Sequence, residues 1–192
     1  MADACLIELD REASADDFRG AMRHLLGGVS VISTGRGADI TGMTVTSVSS
    51  LSIDPPTLIV GVNLASSTWP VLKRHGFFGV NILTADQLDI AERFSGKDGL
   101  KGRERFAGGE WVTGISGAPL LVGALAVIDC EVEEVIERHS HAIVIGRVRD
   151  LMLSKCECAL GYWHGRYVAI DQDEDVARLA AVSIPRGARP RN

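Results

Sequence analysis

The run LAVIDCEVEEVI at residues 125–136 constrains the fold more than any other stretch of this chain. Its apolar and acidic residues alternate, and because successive side chains of a strand point to opposite faces, the period indicates a half-buried antiparallel strand. One face carries Ala126, Ile128, Cys130 and Val132, and the other carries Asp129, Glu131 and Glu133. Only four residues separate this strand from a second β-type run, 141–148, which predicts its hairpin partner.

Further β-type segments occur along the whole chain, bounded by Gly, Asp and Pro turns. They lie at 29–34, 40–45, 57–62, 77–82 and 165–170. The segments are short and show no regular alternation of strands with helices, which favours a barrel over a doubly wound parallel sheet. The predicted fold class is mainly β with peripheral helices, in an antiparallel barrel.

Three helices are predicted around these strands. Ser14 and Asp17 have the spacing of a capping box and open a helix over 14–26 that we expect to pack on the body. Thr84 and Gln87 form a second capping box, for a helix that Gly96 can end. Between them, a short helix follows Ser67 or Thr68, either of which can cap it.

Length and composition place limits on the class of protein. The chain has 192 residues, 46% of them hydrophobic and 23% charged, which suits one globular domain over 1–171 followed by a mobile tail over 172–192. A net charge of -5 argues against a nucleic-acid partner. No apolar run is long enough to cross a membrane, and the acidic start does not resemble a secretory signal. With only four cysteines, we expect a cytoplasmic protein without structural disulfides.

Several familiar catalytic motifs are incomplete. The turn at 35–40 lacks the third glycine and the following helix of a dinucleotide fingerprint, and the Gly96-Lys97 pair lacks the upstream glycine of a phosphate-binding loop. The segment 114–118 misses the spacing of a nucleophile elbow, so Ser116 is interpreted as a turn residue. Rossmann, kinase and hydrolase chemistries are therefore not supported.

The pairs His139, His141 and Cys156, Cys158 could supply four zinc ligands, because alternate residues of a strand share a face. Structural zinc sites usually have wider cysteine spacing, so incidental cysteines beside a turn histidine remain the simpler interpretation. No metal is predicted.

The segment GMTVTSVSSLSIDPPTLIVGVN (42–63) resembles the signature segment of the flavin reductase-like family, the small reductase partners of two-component flavin monooxygenases. The resemblance continues in order through SSTWPVLKRHGFFGVNIL (66–83), FSG (94–96), RF (105–106), W..G..GAPLL (111–121), ALAVIDCEVE (124–133), H.I..GRV (141–148) and LGYWHGRYVAI (160–170). It implies a split β-barrel, usually a homodimer, with FMN or FAD in a groove near the subunit interface.

The resemblance also assigns residues to the flavin. The isoalloxazine ring and ribityl chain are expected along 44–50, where a flat ring with polar edges needs small residues, hydroxyls and backbone N–H groups. The residues of this set are Thr44, Val45, Thr46, Ser47, Ser49 and Ser50. Read without the resemblance, the same Ser and Thr residues are ordinary strand formers.

The phosphate is expected at Ser66, Ser67 and Thr68, which precede a predicted helix whose N–H groups attract an anion. The resemblance also places Lys97 and Arg105 at the phosphate or the ribityl chain, although a solvated basic loop explains them as well. His141 matches a histidine that faces the flavin and helps to place the nicotinamide. His139 and Ser140 replace the glycine and aspartate that precede that histidine in the family.

The activity implied is reduction of FMN or FAD by hydride transfer from NADH or NADPH, with the reduced flavin supplied to a partner monooxygenase. Such a transfer requires stacked rings rather than a strong general base, in agreement with the incomplete catalytic motifs. Two alternatives remain open at this point. One is a flavoprotein of the same fold that reduces a corrinoid, ferric iron or a redox protein, and the other is a non-enzymatic flavin- or haem-binding protein.

Overall fold

The computed structural model describes residues 12–156 and 158–171. The strands are β1 Gly27–Gly28, β2 Ser30–Thr34, β3 Thr41–Val45, β4 Val48–Ile53, β5 Pro56–Asn63, β6 Phe77–Ile82, β7 Trp111–Thr113, β8 Pro119–Leu121, β9 Ala126–Arg138, β10 His141–Leu153, β11 Cys158–Trp163 and β12 Arg166–Asp171. The helices are α1 Ala15–Met22, α2 Trp69–His75 and α3 Leu88–Phe94, with 3-10 turns at Gly37–Asp39, Ala85–Gln87 and Gly102–Phe106. The predicted tail over 172–192 lies outside the described residues.

A seven-stranded antiparallel sheet forms the body, in the order β3-β2-β6-β9-β10-β5-β4. Its two edge strands, β3 and β4, follow one another in the chain with only residues 46 and 47 between them. The sheet must therefore curl until its edges approach, yet no ladder joins β3 to β4 in the part of the chain described. The result is a barrel that is open along one line, which confirms the predicted split barrel.

The strand β2 shows why the core has two sides. All five of its residues are buried; Val31 belongs to a cluster with Phe94 on α3, whereas Ile32 belongs to the cluster inside the barrel with Phe78. Because both faces of β2 are covered, its polar side chains need buried partners, and the Thr34 hydroxyl donates to the Phe77 carbonyl at 2.7 Å. Each fully buried aliphatic or aromatic side chain contributes roughly 1.5–3 kcal/mol.

The β9–β10 hairpin is confirmed, with His141 opposite Arg138 across a two-residue turn. One detail of its predicted faces is wrong, because Asp129 is fully buried rather than solvated. Its carboxylate accepts a hydrogen bond from the Ser116 backbone N–H at 2.7 Å and another from the Ser116 hydroxyl. The turn that contains Ser116 folds over the strand and covers this carboxylate, so Ser116 is a turn residue with a buried partner.

The helices begin as predicted but do not all pack as predicted. Ser14 and Asp17 form the expected capping box, yet α1 buries none of its residues, and Phe18 is 65% exposed. The helix also ends at Met22 rather than at 26, and it meets the body only near its C-terminal end, beside the β11–β12 hairpin. Thr84 and Gln87 also form their capping box, around a 3-10 turn that leads into α3. No helix in the described part of the chain has the length and apolar character that crossing a bilayer requires.

Candidate functional site

A cavity of about 220 Å³ opens on the split side of the barrel, where β3 ends. We call it the split groove. Its walls come from β3 and its corner, the end of α3 and the β11–β12 hairpin. The lining residues are Val29, Thr44, Val45, Thr46, Ser95, Lys97, Tyr162 and Tyr167. Four of these, Thr44, Val45, Thr46 and Lys97, were predicted from the sequence.

Two close contacts fix the polar wall of the split groove. The Thr44 hydroxyl donates to the Ala91 carbonyl of α3 at 2.6 Å, which ties β3 to that helix. Thr46 lies directly over Gly27, where an added Cβ would stand only 2.8 Å from the Thr46 Cβ. Glycine is required at 27 because no other residue permits this approach of the two strands.

The opposite wall carries the charge and the aromatic rings. Ser95 ends α3 by donating to the Glu92 carbonyl at 2.6 Å, and its hydroxyl accepts from the Lys97 N–H at 3.3 Å. The Lys97 ammonium stands 5.9 Å from the ring centre of Tyr167 and has no ion pair with another described residue. Burial, with a smaller contribution from the neighbouring Tyr162, raises the pKa of Tyr167. Its hydroxyl therefore stays protonated at neutral pH and can donate a hydrogen bond.

Sequence reasoning missed Val29, Ser95, Tyr162 and Tyr167. The two tyrosines form a cross-strand pair on the β11–β12 hairpin, with ring centres 5.2 Å apart. A usable signal was present in the His164-Gly165 dipeptide, which separates two β-type segments by the two residues of a tight hairpin. Recognising that turn would have placed both tyrosines on one face.

Arg105 does not line the split groove. Its side chain is buried, Nε donates to the Leu100 carbonyl at 2.9 Å, and Nη1 donates to the Gly42 carbonyl. Burial lowers the pKa of this guanidinium from its usual high value. In the single chain Arg105 ties the loop before it to β3, and its predicted contact with a flavin phosphate stays a prediction.

A second group of predicted residues lies at the far end of β5. Thr68 occupies the N-cap position of α2 as predicted, but its buried hydroxyl makes no capping bond and has no hydrogen-bond partner among the described residues. The Ser66 hydroxyl accepts the Trp69 N–H at 3.2 Å. The loop of Ser66, Ser67 and Thr68 follows Asn63, which stands opposite His141 in the sheet. His141 is exposed, and its Nδ1 is 2.9 Å from the Ser140 hydroxyl.

The remaining predicted residues connect the two groups. Ser47 accepts the Gly61 N–H at 3.4 Å and donates its hydroxyl to the Gly61 carbonyl at 2.9 Å. Ser47, Ser49 and Ser50 are all exposed on the corner and the start of β4. The stretch 44–50 is therefore open to solvent, and β5 leads from it directly to the loop at 66–68.

The donor set of the split groove suits a flavin. The lining combines the hydroxyl groups of Thr44, Thr46 and Ser95, the apolar Val29 and Val45, and the Lys97 ammonium, which has no ion pair with another described residue. That combination matches an uncharged ring with polar edges joined to a phosphate. In the described ranges, no group of three or more His, Cys, Asp or Glu side chains could hold a metal ion.

Comparisons with known proteins point in the same direction. The model described as "Flavin reductase like domain" matches residues 22–171. FMN reductase (NADH) RutF of Cronobacter sakazakii is 34% identical over 155 residues, which cover 81% of this chain and 92% of that protein. The flavin-dependent monooxygenase reductase subunit HsaB of Rhodococcus jostii is 32% identical over 159 residues, covering 83% and 80%. Among solved structures, NADH:FAD oxidoreductase SgcE6 of Streptomyces globisporus has a TM-score of 0.75 at 29% identity and covers 84% of this chain and 96% of that one.

Proposed function

Because the chain belongs to the flavin reductase like family, we propose that it is an NAD(P)H:flavin oxidoreductase that reduces FMN or FAD and supplies the reduced flavin to a partner monooxygenase. The single observation that carries the proposal is the split groove, where the signature segment 44–46 meets Lys97. A monooxygenase partner is further supported by the relative that is itself a monooxygenase reductase subunit.

A bound flavin would supply the hydride-accepting ring, whose polar edge would become more negative on reduction by the nicotinamide. The residues of this chain orient and stabilise that ring. We propose the Thr46 hydroxyl and the backbone N–H groups of 46–50 as donors to this charge, because residues 46 and 47 lie between the two edge strands and β4 is itself an edge strand. Lys97 adds a positive charge at the opposite wall, and Val29 and Val45 add apolar lining to the groove.

His141 is proposed to place the nicotinamide. It shares the outer face of the sheet with Ser47, since Val62 and Ala142 beside it point into the barrel core. Two strand spacings and two residues along β10 separate His141 from Ser47, a distance of about 12 Å. At that distance His141 can contact a second ring stacked on the flavin, but it cannot hydrogen-bond to the same ligand group as Ser47. We expect His141→Ala to raise the KM for NADH, and an unchanged KM and turnover would contradict this role.

The loop of Ser66, Ser67 and Thr68 is proposed to hold the flavin phosphate. The buried Thr68 hydroxyl, which lacks a partner among the described residues, supports a polar ligand near this loop, because an unpaired buried hydroxyl is costly. Lys97 and Arg105 remain the alternative anchors for the phosphate. The affinities for riboflavin and for FMN are measured in Lys97→Gln and in Ser67→Ala. Only the variant that removes a contact to the phosphate should lose the preference for FMN over riboflavin.

We propose that the protein is a homodimer. The outer face of β9, β10 and β5 carries Ile136, Ile143, Ile145 and Ile59, all at least partly exposed. On β4, Leu51 and Ile53 are 53% and 92% exposed. An apolar surface of this extent is typical of a subunit interface, and its continuity with Ser47 and His141 would put the site at that interface. Sedimentation of the wild type and of Ile143→Glu tests the dimer. The predicted cytoplasmic location stays a prediction.

Steady-state kinetics with both flavins and both nicotinamides test the activity. We expect loss of NADH or NADPH absorbance that depends on added FMN or FAD, and stopped-flow transfer of the reduced flavin to an oxygenase identifies the partner step. Purified protein that shows no flavin-dependent oxidation of either nucleotide would refute the proposal.

A further inference from the structure

A second cavity, of about 270 Å³, lies beside the split groove and shares Thr46 and Tyr162 with it. We call it the hairpin pocket, because its walls are the last turn of α1 and the tip of the β11–β12 hairpin. Its other lining residues are Arg19, Met22, Arg23, Leu25, Gly27, Trp163, His164 and Gly165. A ligand whose reactive ring lies in the split groove can therefore continue past Thr46 into this pocket.

The hairpin tip that forms the pocket is held in a defined position. His164 and Gly165 both have positive φ, 50° and 79°, as a two-residue turn of this hand requires. Glycine, asparagine or aspartate would be the usual residue at position 164. The His164 N–H donates to the Arg23 carbonyl at 3.0 Å, and the Trp163 indole N–H donates to the His24 carbonyl at 3.1 Å. The turn alone therefore does not require a histidine at position 164.

Three rings are grouped at this tip. The His164 ring lies 4.5 Å from that of His24 and 4.3 Å from that of Trp163, both edge to face. Trp163 is nevertheless 41% exposed. An exposed aromatic surface beside a cavity is suited to stacking against a planar base.

The pocket also carries positive charge. Arg19 is paired with Asp16 within α1, so its charge is compensated locally. Arg23 ends the helix, is exposed, and forms no ion pair with a described residue. Because a guanidinium binds phosphate oxygens through two parallel hydrogen bonds, Arg23 is the group in this pocket best suited to a phosphate.

From these features we infer that the hairpin pocket binds an adenosine 5'-phosphate unit, with the base against Trp163 and His164 and the phosphate on Arg23. NADH and FAD both contain this unit, whereas FMN does not. The assignment of this unit to NADH or to FAD rests on the proposed function, because that assignment assumes that the flavin and nicotinamide rings meet in the split groove.

The test compares substrates with and without the adenosine unit. Arg23→Gln removes the charge, and His164→Gly removes the ring while keeping a residue that readily adopts positive φ. Arg149→Gln is the matched control, since this exposed arginine pairs with Glu131 and lines neither cavity. The KM is measured for NADH and for reduced nicotinamide mononucleotide, each with FMN and with FAD. Calorimetric titration with AMP and ADP-ribose measures the pocket without any turnover.

If the pocket binds the hydride donor, Arg23→Gln raises the KM for NADH about tenfold and leaves that for the mononucleotide unchanged. If it binds the flavin dinucleotide, the KM for FAD rises and that for FMN does not. In both cases AMP and ADP-ribose bind about tenfold more weakly to the variant than to the control. Equal losses for the truncated and complete substrates, or AMP binding that neither variant weakens, would overturn the inference. Wild-type protein that binds ADP-ribose here but reduces no flavin would refute the proposed function alone.

Discussion

Substituting Gly27 by alanine tests whether the shape of the split groove determines flavin binding. The added Cβ would stand 2.8 Å from the Thr46 Cβ, and ordinary contact begins at 3.4 Å, so the two strands must separate by about 0.6 Å. Overpacking of this size costs about 1–3 kcal/mol. For a domain of this length, each kcal/mol lowers the Tm by about 2–4 °C.

Gly28→Ala is the matched control, because it lies on the same two-residue strand and its added Cβ would meet nothing within 4 Å. We expect Gly27→Ala to raise the KM for FMN about tenfold at 25 °C, since displaced contacts in a positioned site are costly. The control should stay within about twofold. Calorimetric Tm values accompany the kinetics. Equal KM values for the two variants would show that the approach of Gly27 to Thr46 does not shape the flavin site.

Three further predictions concern single side chains. Lys97→Gln should raise the KM for FMN severalfold at low salt and less at 0.5 M salt, because the exposed ammonium is screened; a salt-independent effect would contradict an electrostatic role. Asp129→Asn should lower the free energy of unfolding in urea by about 1–3 kcal/mol, because an amide cannot accept both bonds from Ser116, with turnover per folded molecule unchanged. Burial raises the pKa of Cys130 from 9.0 to about 12. Between these pH values the thiol ionises only in the unfolded state, so the free energy of unfolding should fall as pH rises from about 9 to 12. Cys130→Ala should reduce that fall, as urea titrations across this range would show.

The sequence predicted those features that depend on local pattern. The β9–β10 hairpin follows from strict alternation, and the box of Thr84 and Gln87 follows from spacing. Asp129 was placed on the wrong side because its burial depends on a turn more than ten residues away in the chain, which no local period reports. Arg105 resembles a phosphate ligand in sequence, but its hydrogen bonds to backbone carbonyls appear only when the loop is folded against β3.

The predicted site residues fall into two groups, and their separation follows from the topology of the sheet. Thr44 to Thr46 end one edge strand beside Lys97, whereas His141 and the loop at 66–68 end a pair of inner strands. His141 lies two strand spacings of about 4.8 Å from the corner at Ser47 and does not line the groove that Lys97 helps to form. Only a ligand longer than one ring, or a second copy of the chain packed on the outer face of β9, β10 and β5, can engage both groups. The separation therefore favours a site that holds a flavin and a nicotinamide nucleotide together, so that their two rings can stack for hydride transfer.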